Sequence, residues 1–372
     1  MYNKFILMIV AFYINEMNFR GVVNSTYQYS LFNKTILKNK SIIFYNKKNS
    51  SNKKEVIEKF KKRFKVFAVS SFEEIDQYKE KYNIDFIYTQ KGGEKDHWIS
   101  NRIKTIVHSI YPQKLNQVHG DNYAYISEWI SKDFSNYKIP YVPYIVDQVK
   151  NSKNLKKKFK IKKSQTVFGC HGGESSFDLK FVHDVLKKIV EVRKDITFLF
   201  LNINKFCSHP RIIFIKGTSD DTFKKNFINT CDAMIYGRSL GESFGLACAE
   251  FAINNKMIIS YKFNRHRSHE FHNKKEFFIE YGSYKELKKI LLNFNKNRKI
   301  AIQTKYKSYK PKLVMNIFRK VFLKSNDRIH LSFEDYLVNF QSYMKMNYLY
   351  LRHKLYNHYY KYLESKMLNF KD

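Results

Sequence analysis

Five prolines and twelve glycines in 372 residues are too few for a collagen-like or loop-dominated chain. Cysteine is scarce as well. Cys170, Cys207, Cys231 and Cys248 form no Cys-x-x-Cys pair, so neither a zinc site nor a disulfide framework is indicated, and a reducing, cytoplasmic setting is expected. Acidic residues number 33 against 68 Lys and Arg, and no Asp-x-Asp triplet occurs. No long apolar run occurs near the start either. Phe5 to Ile14 is about half the ~20 residues a membrane-spanning helix needs. Asn15-Glu16 follow it without a small-residue cleavage site, so it reads as a buried first strand rather than a signal peptide.

What is present narrows the choice further. Apolar residues make up 44% of the chain and aromatics 17%, which excludes global disorder and can fill two cores. The formal charge of +35 has two readings. One is a lysine-rich surface from biased base composition, since Lys, Asn, Ile, Tyr and Phe are all abundant. The other is a field that draws polyanions: nucleic acid, a sugar nucleotide or an anionic membrane. Charge alone does not decide between them.

Short β-rich runs alternate with helix-length polar stretches. Phe5–Phe12, Ser41–Tyr45, Lys65–Val69, Asp85–Thr89, Thr105–His108, Tyr123–Ile126 and Tyr141–Val146 read as strands, with helices over Lys53–Arg63 and Phe72–Tyr82. The Lys-rich segment 148–163 lacks a core pattern and reads as a linker. A second series follows: strands Gln165–Cys170, Thr197–Leu201, Ile212–Ile215, Ala233–Tyr236 and Met257–Tyr261, with helices over Leu179–Val192 and from about Asp221 and Phe244. Such alternation implies βαβ units and parallel sheets. The expectation is an α/β protein of two doubly wound, Rossmann-like domains, 1–147 and 164–326, facing across a cleft, with a helical extension over 327–372. In that extension Leu337, Phe340, Met344, Tyr348, Leu351, Leu355, Tyr359 and Tyr362 recur every three or four residues and form one apolar stripe, with Lys345, Arg352, Lys354 and Lys361 on the other face. Such a helix either packs on the body of the protein or lies on an anionic membrane or a partner.

The stretch Asp232–Ile259 carries the most chemistry. A strand leads into a loop holding Arg238, Gly241 and Glu242, then a helix opens at Phe244-Gly245-Leu246, with Glu250 on it. Amides at a helix start point outward with partial positive charge and can hold a diphosphate or sugar hydroxyls. Gly245 lets a ligand approach the backbone. One carboxylate can accept from hexose hydroxyls, and a second, two turns on, can clamp a ribose. Taken singly, Glu242 reads equally as a solvated loop or capping residue, and Glu250 as an exposed helix residue. The ordered combination is far more specific than the pair.

The combination Glu242-Ser243-Phe244-Gly245-Leu246-Ala247-Cys248-Ala249-Glu250 resembles the Glu-x7-Glu signature of the GT-B-fold, family-4 retaining glycosyltransferases. Tyr141–Asp147 is similar to the segment that closes that family's first domain, Arg20-Gly21-Val22 to its acceptor loop, and Ile106-Val107-His108 to its strand-end histidine; the likeness covers residues 5 to about 320. The resemblance implies transfer of a hexose from a nucleotide-sugar co-substrate to a glycan, lipid or protein, without a metal or other cofactor. It places Glu242, Ser243, Leu246 and the amides of Phe244 and Gly245 at the donor sugar and Glu250 at the ribose. His108 would act on the sugar ring, and Arg20 and Gly21 would lie on the acceptor side. One departure stands out. The family's Arg and Lys after the first strand of the second domain are missing from Cys170–Ser176, where Gly172 and Gly173 offer amides instead. Either the cationic role has moved, with Arg238 the candidate, or the donor binds weakly. A non-catalytic sugar- or nucleotide-binding protein of the same fold is the second reading. A nucleic-acid-binding protein is the third, without support from any zinc-finger, RRM or helix-turn-helix pattern.

Overall fold

The computed structural model describes residues 7–146, 153–297, 303–325 and 329–368. Several sequence expectations extend outside them: the first two residues of the strand from Phe5, Asp147, the linker's first residues 148–152, and both ends of the 327–372 extension. The chain forms two compact units, Met1–Asp147 with Ser308–Gln341, and Gln148–Lys307 with Ser342–Asp372.

The first unit holds six parallel strands, β1 (Ile9–Ile14), β2 (Lys40–Asn46), β3 (Lys65–Val69), β4 (Phe86–Lys91), β5 (Lys104–Ser109) and β6 (Asn122–Tyr125), in the order β3-β2-β1-β4-β5-β6. Val10, Phe12, Ile43, Ile87, Ile106 and Val107 are fully buried, as a sheet covered on both faces requires. The connections carry α1 (Gly21–Thr35), α2 (Lys54–Lys61), α3 (Lys79–Tyr82) and, after β6, α4 (Glu128–Ser135). The helix expected over Phe72–Tyr82 divides into a 3-10 stretch, Glu73–Tyr78, followed by α3. Tyr141–Val146 forms no strand. It makes a single bridge, Tyr141 to Tyr125, because Pro140 and Pro143 have no N–H to give to a ladder.

The second unit repeats the plan. Its main sheet comprises β7 (Thr166–His171), β8 (Ile196–Leu201), β9 (Ile212–Ile215), β10 (Ala233–Tyr236), β12 (Met257–Tyr261) and β14 (Phe278–Tyr281), in the order β14-β12-β10-β7-β8-β9. A separate two-residue pair joins β11 (Gly241–Glu242) to β13 (His266–Arg267). Helices α5 (Lys180–Val192), α6 (Asp221–Thr230), α7 (Leu246–Ile253), α8 (Ser268–Phe271) and α9 (Tyr284–Leu292) complete it. On α5, Val182, Val185, Leu186, Ile189 and Val190 are buried at helical spacing. In each sheet the strand order reverses beside the first strand, between β1 and β4 and between β7 and β10. Such a reversal opens a crevice at the carboxyl ends of the strands, where ligands of doubly wound folds bind.

Beyond Lys307 the chain rejoins the first unit. α10 (Pro311–Phe318) begins with proline, whose missing N–H costs nothing at that position, and continues into a π-helical turn, Arg319–Leu323. Phe318 lies 5.3 Å from the Tyr29 ring of α1, and Phe322 lies 5.1 Å from His108. The last element, α11 (Phe333–Leu368), is 36 residues long. Among the described residues no helix is long and apolar enough to cross a membrane.

Candidate functional site

The crevice of the second unit is flanked by two loops. One follows His171 at the end of β7, and the other follows Tyr236 at the end of β10. The second loop is shaped by glycine. Gly241 has φ +73°, and a Cβ there would run into the carbonyl oxygen of His266. Gly245 has φ +85° and immediately precedes α7; a Cβ on it would sit 3.1 Å from His269 Cβ and 3.2 Å from the Tyr306 hydroxyl. A left-handed residue at this point turns the first-turn amides of α7 away from the chain that precedes them. No acidic side chain occupies that first turn.

Glu242 enters from this loop. Its Oε1 accepts from the Tyr236 hydroxyl at 2.7 Å and from Arg238 Nη1 at 3.2 Å. Arg238, the sequence candidate for the diphosphate cation, is therefore paired with the carboxylate expected to face the sugar. Phe244 has a buried side chain; its carbonyl accepts from Tyr306 at 2.6 Å, so only its amide can face a ligand. Ser243 and Leu246 are half-buried beside it.

Glu250 lies one helix turn further in, almost wholly buried. Lys224 of α6 donates to its Oε1 at 2.7 Å. His171 Nε2 stands 3.0 Å from its Oε2, within ion-pair range though out of line for a hydrogen bond. Burial by itself would raise this carboxyl, but Lys224 and His171 overcome it and hold the group at about 2. Burial likewise disfavours the charged Lys224, and Glu250 more than offsets it, so the ammonium is raised. Lys224 was not singled out by sequence, and His171 only as the one potential cation of the Cys170–Ser176 loop. Lys224 is one lysine on a polar helix among 68 basic residues, and only the fold carries it to the end of β7. In the loop after His171, Gly172 N–H donates to the Leu201 carbonyl at 3.4 Å, and the Gly173 carbonyl accepts from Ser176.

The remaining expected site residues belong to the first unit. Arg20 is exposed and pairs with Glu16 at 3.4 Å, and Gly21 is the first residue of α1 rather than part of a glycine-rich loop. His108 ends in the core with no exposed surface. The Val142 carbonyl, 2.9 Å from Nε2, can only accept, so Nε2 carries the proton and Nδ1 accepts from the Tyr88 hydroxyl at 2.6 Å. Gln90 donates to the same hydroxyl at 2.8 Å and accepts from Ser25 and Tyr144. Burial lowers His108 to about 3. Both ring nitrogens are engaged within this neutral network, so the ring as placed has none to offer a sugar. His119, outside the expected set and in the loop before β6, is half-buried, and its Nδ1 donates to the Gln117 carbonyl at 2.6 Å. Among the described residues no group of three or more His, Cys, Asp or Glu side chains is placed to hold a metal.

No protein-family model and no curated protein matches the chain. Solved structures do. Anabaena Alr3699/HepE in complex with UDP-glucose superposes with a TM-score of 0.60 at 11% identity, over 91% of this chain and 99% of that one. A glycosyltransferase from Rickettsia africae ESF-5 gives 0.57 at 13% identity, over 86% and 100%. The S. aureus MnaA–UDP structure gives 0.57 at 10%, over 87% and 99%. At such identities the likeness establishes the fold: two parallel six-stranded α/β units of the GT-B kind, with a C-terminal helix added.

Proposed function

We propose that this chain is a hexosyltransferase of the GT-B fold, drawing on a nucleotide-sugar donor and transferring to a glycan, lipid or protein acceptor with retention and without a metal. The observation that carries the reading is the second unit's crevice, where Glu242, a left-handed Gly245 opening α7, and buried Glu250 follow one another at the carboxyl ends of β7 and β10. The neighbours of the same fold include one in complex with UDP-glucose and one with UDP, which agrees with a nucleotide ligand.

In this reading Glu242 receives the sugar hydroxyls on Oε2, since its two bonds fall on Oε1. The amides of Phe244, Gly245 and Leu246 face the transferring end of the donor, with Ser243 beside them. Glu250 takes the ribose hydroxyls while remaining paired with Lys224. Transfer breaks the bond from the anomeric carbon to the diphosphate oxygen and forms one to the acceptor oxygen, whose proton leaves to the diphosphate. The charge that develops on the diphosphate is met by helix amides and basic side chains. Arg238 serves here if it leaves Glu242 when the donor binds, and Gly172 and Gly173 border the same space. His108 supports the first unit's core in this scheme, and the acceptor side remains with the segment that enters α1 at Arg20 and Gly21.

The second reading, a binding protein without turnover, is favoured by the pairing of Arg238 with Glu242 and by the lack of any Lys or Arg in Cys170–Ser176. Incubation with a panel of nucleotide sugars separates the two. Release of nucleoside diphosphate, abolished by Glu242→Ala with an unchanged melting temperature, supports transfer. Donor-induced thermal stabilisation without release supports the binding protein. Neither response to any donor would refute both, and salt-sensitive affinity for duplex DNA would then reinstate nucleic acid as the ligand.

A further inference from the structure

α11 turns its apolar stripe outward. Met344, Tyr348, Leu351, Leu355, Tyr359 and Tyr362 are each 52–62% exposed. Different residues hold this part of the helix to the second unit: His353 Nδ1 lies 3.3 Å from the Tyr261 hydroxyl, Tyr356 accepts from the Tyr284 amide at 2.8 Å, and Tyr360 donates to Asp184 at 3.0 Å. The stripe thus lies apart from these anchors and stays more than half exposed. Over ~27 Å of helix it is a continuous apolar surface of the kind that marks an interaction site.

We propose that this face is a docking surface for an anionic lipid bilayer, with α11 lying in the plane of the interface. Charge is the first argument. Lys345 and Arg352 each follow a stripe residue by one position, and Lys354 and Lys361 each precede one. At 100° per residue these cations stand on both shoulders of the stripe rather than on the opposite face expected from sequence, and all four are exposed. No Asp or Glu occurs between Asp335 and Glu364. A second copy of this chain would present the same cations and repel, whereas anionic headgroups would pair with them. Side-chain type is the second argument. Three of the six stripe residues are tyrosine, whose ring is apolar and whose hydroxyl stays wet, as an interfacial position requires.

Periodicity is the third argument. Leu337, Tyr348 and Tyr359 recur at eleven residues, as do Phe340, Leu351 and Tyr362, and Met344 with Leu355. Eleven residues is close to three full turns of a straight helix, so the stripe stays on one side of α11 along its length, as a helix lying on a surface requires. The proposal does not depend on the sugar-transfer reading.

Co-sedimentation of the full chain with phosphatidylcholine vesicles containing one-quarter phosphatidylglycerol tests it, at low and high salt, against phosphatidylcholine alone. Binding to the anionic vesicles is expected, weakened by salt and reduced at least tenfold by Leu351→Ser with Leu355→Ser. Both positions are exposed, so the melting temperature should not move. Tyr359→Trp supplies an independent reading, a blue shift of emission when anionic vesicles are added. Absence of binding, binding indifferent to the serine substitutions, or a solution dimer that those substitutions dissociate would each overturn the proposal.

Discussion

His108 shows how little a residue's type says until its partners are known. A histidine at a strand end resembles a catalytic group, yet this one is locked between the Tyr88 hydroxyl and the Val142 carbonyl with no surface exposed. Replacing it with alanine should cost about 2–4 kcal/mol in urea unfolding, because the cut strands a buried hydroxyl and leaves a cavity. Lost donor turnover with unchanged unfolding would instead return His108 to the chemistry. Glu250 calls for a different experiment, since it is both a structural ion-pair partner and the proposed ribose ligand. Glu250→Gln should lower stability by about 1–3 kcal/mol by leaving Lys224 short of its anion. Adding Lys224→Met should recover part of that stability without restoring nucleotide binding, and a double-mutant cycle measures both. If the double substitution regains nucleotide affinity, Glu250 is structural only. Its native pKa is depressed, so its contribution is complete above about pH 4.5 and is lost as pH falls towards 2.

At the scale of elements, the strands of the second unit were legible because each is a short apolar run bounded by polar turns: Ile212–Ile215, Ala233–Tyr236 and Met257–Tyr261 lie where the sequence puts them. α1 was not. Its buried face carries Ser25, Thr26, Ser30 and Asn33, a pattern without apolar periodicity. The hydroxyls are satisfied inside the helix, Ser30 donating to the Thr26 carbonyl at 2.8 Å and Thr26 to that of Val22 at 2.9 Å, so polar residues can be buried there. α11 was legible as a helix but not in its orientation. Periodicity reveals that a stripe exists, but Met346, His353, Tyr356 and Tyr360 recur at the same helical spacing and form the face that packs, and spacing alone does not say which of the two faces is buried. The Glu242 loop lies between these cases: its motif is visible in sequence, its ion pairs are not. Its glycines differ in what they tolerate. Gly245→Ala should cost about 1–2 kcal/mol from the left-handed backbone. Gly241→Ala should cost more, since its Cβ meets a carbonyl oxygen that belongs to the β11–β13 pair. Thermal melts of the two variants rank them, and equal melts would show that the pair yields easily.

For the whole molecule, the sequence conveyed two sheets but not which core the segment after Lys307 joins. Val314, Met315 and Phe318 are simply apolar at helical spacing, and nothing local in them names Tyr29 as their neighbour. The division into units has a consequence for acid stability. Burial depresses His108 of the first unit to about 3, and does the same to His266 and His269 of the second. A native pKa below the ordinary 6.5 means that the unfolded chain takes up the proton first. Stability is therefore retained above about pH 6.5 and falls as pH drops towards 3, by about 1.4 kcal/mol per pH unit for each such histidine. Half-buried His183 and His353 lean the same way in the second unit, as His119 does in the first. Both tryptophans, Trp98 and Trp129, lie in the first unit, so their fluorescence follows that unit alone while far-UV circular dichroism follows both. Between pH 7.5 and 5.5 the tryptophan-reported unfolding free energy should fall by at least about 1.4 kcal/mol, and the dichroism transition of the second unit by about twice that. Identical shifts by the two probes would mean that the units unfold as one, and the common shift should then shrink when the series is repeated with His266→Gln and His269→Gln, whereas a second-unit shift well below that of the first would mean that His266 and His269 gain protons in the native protein.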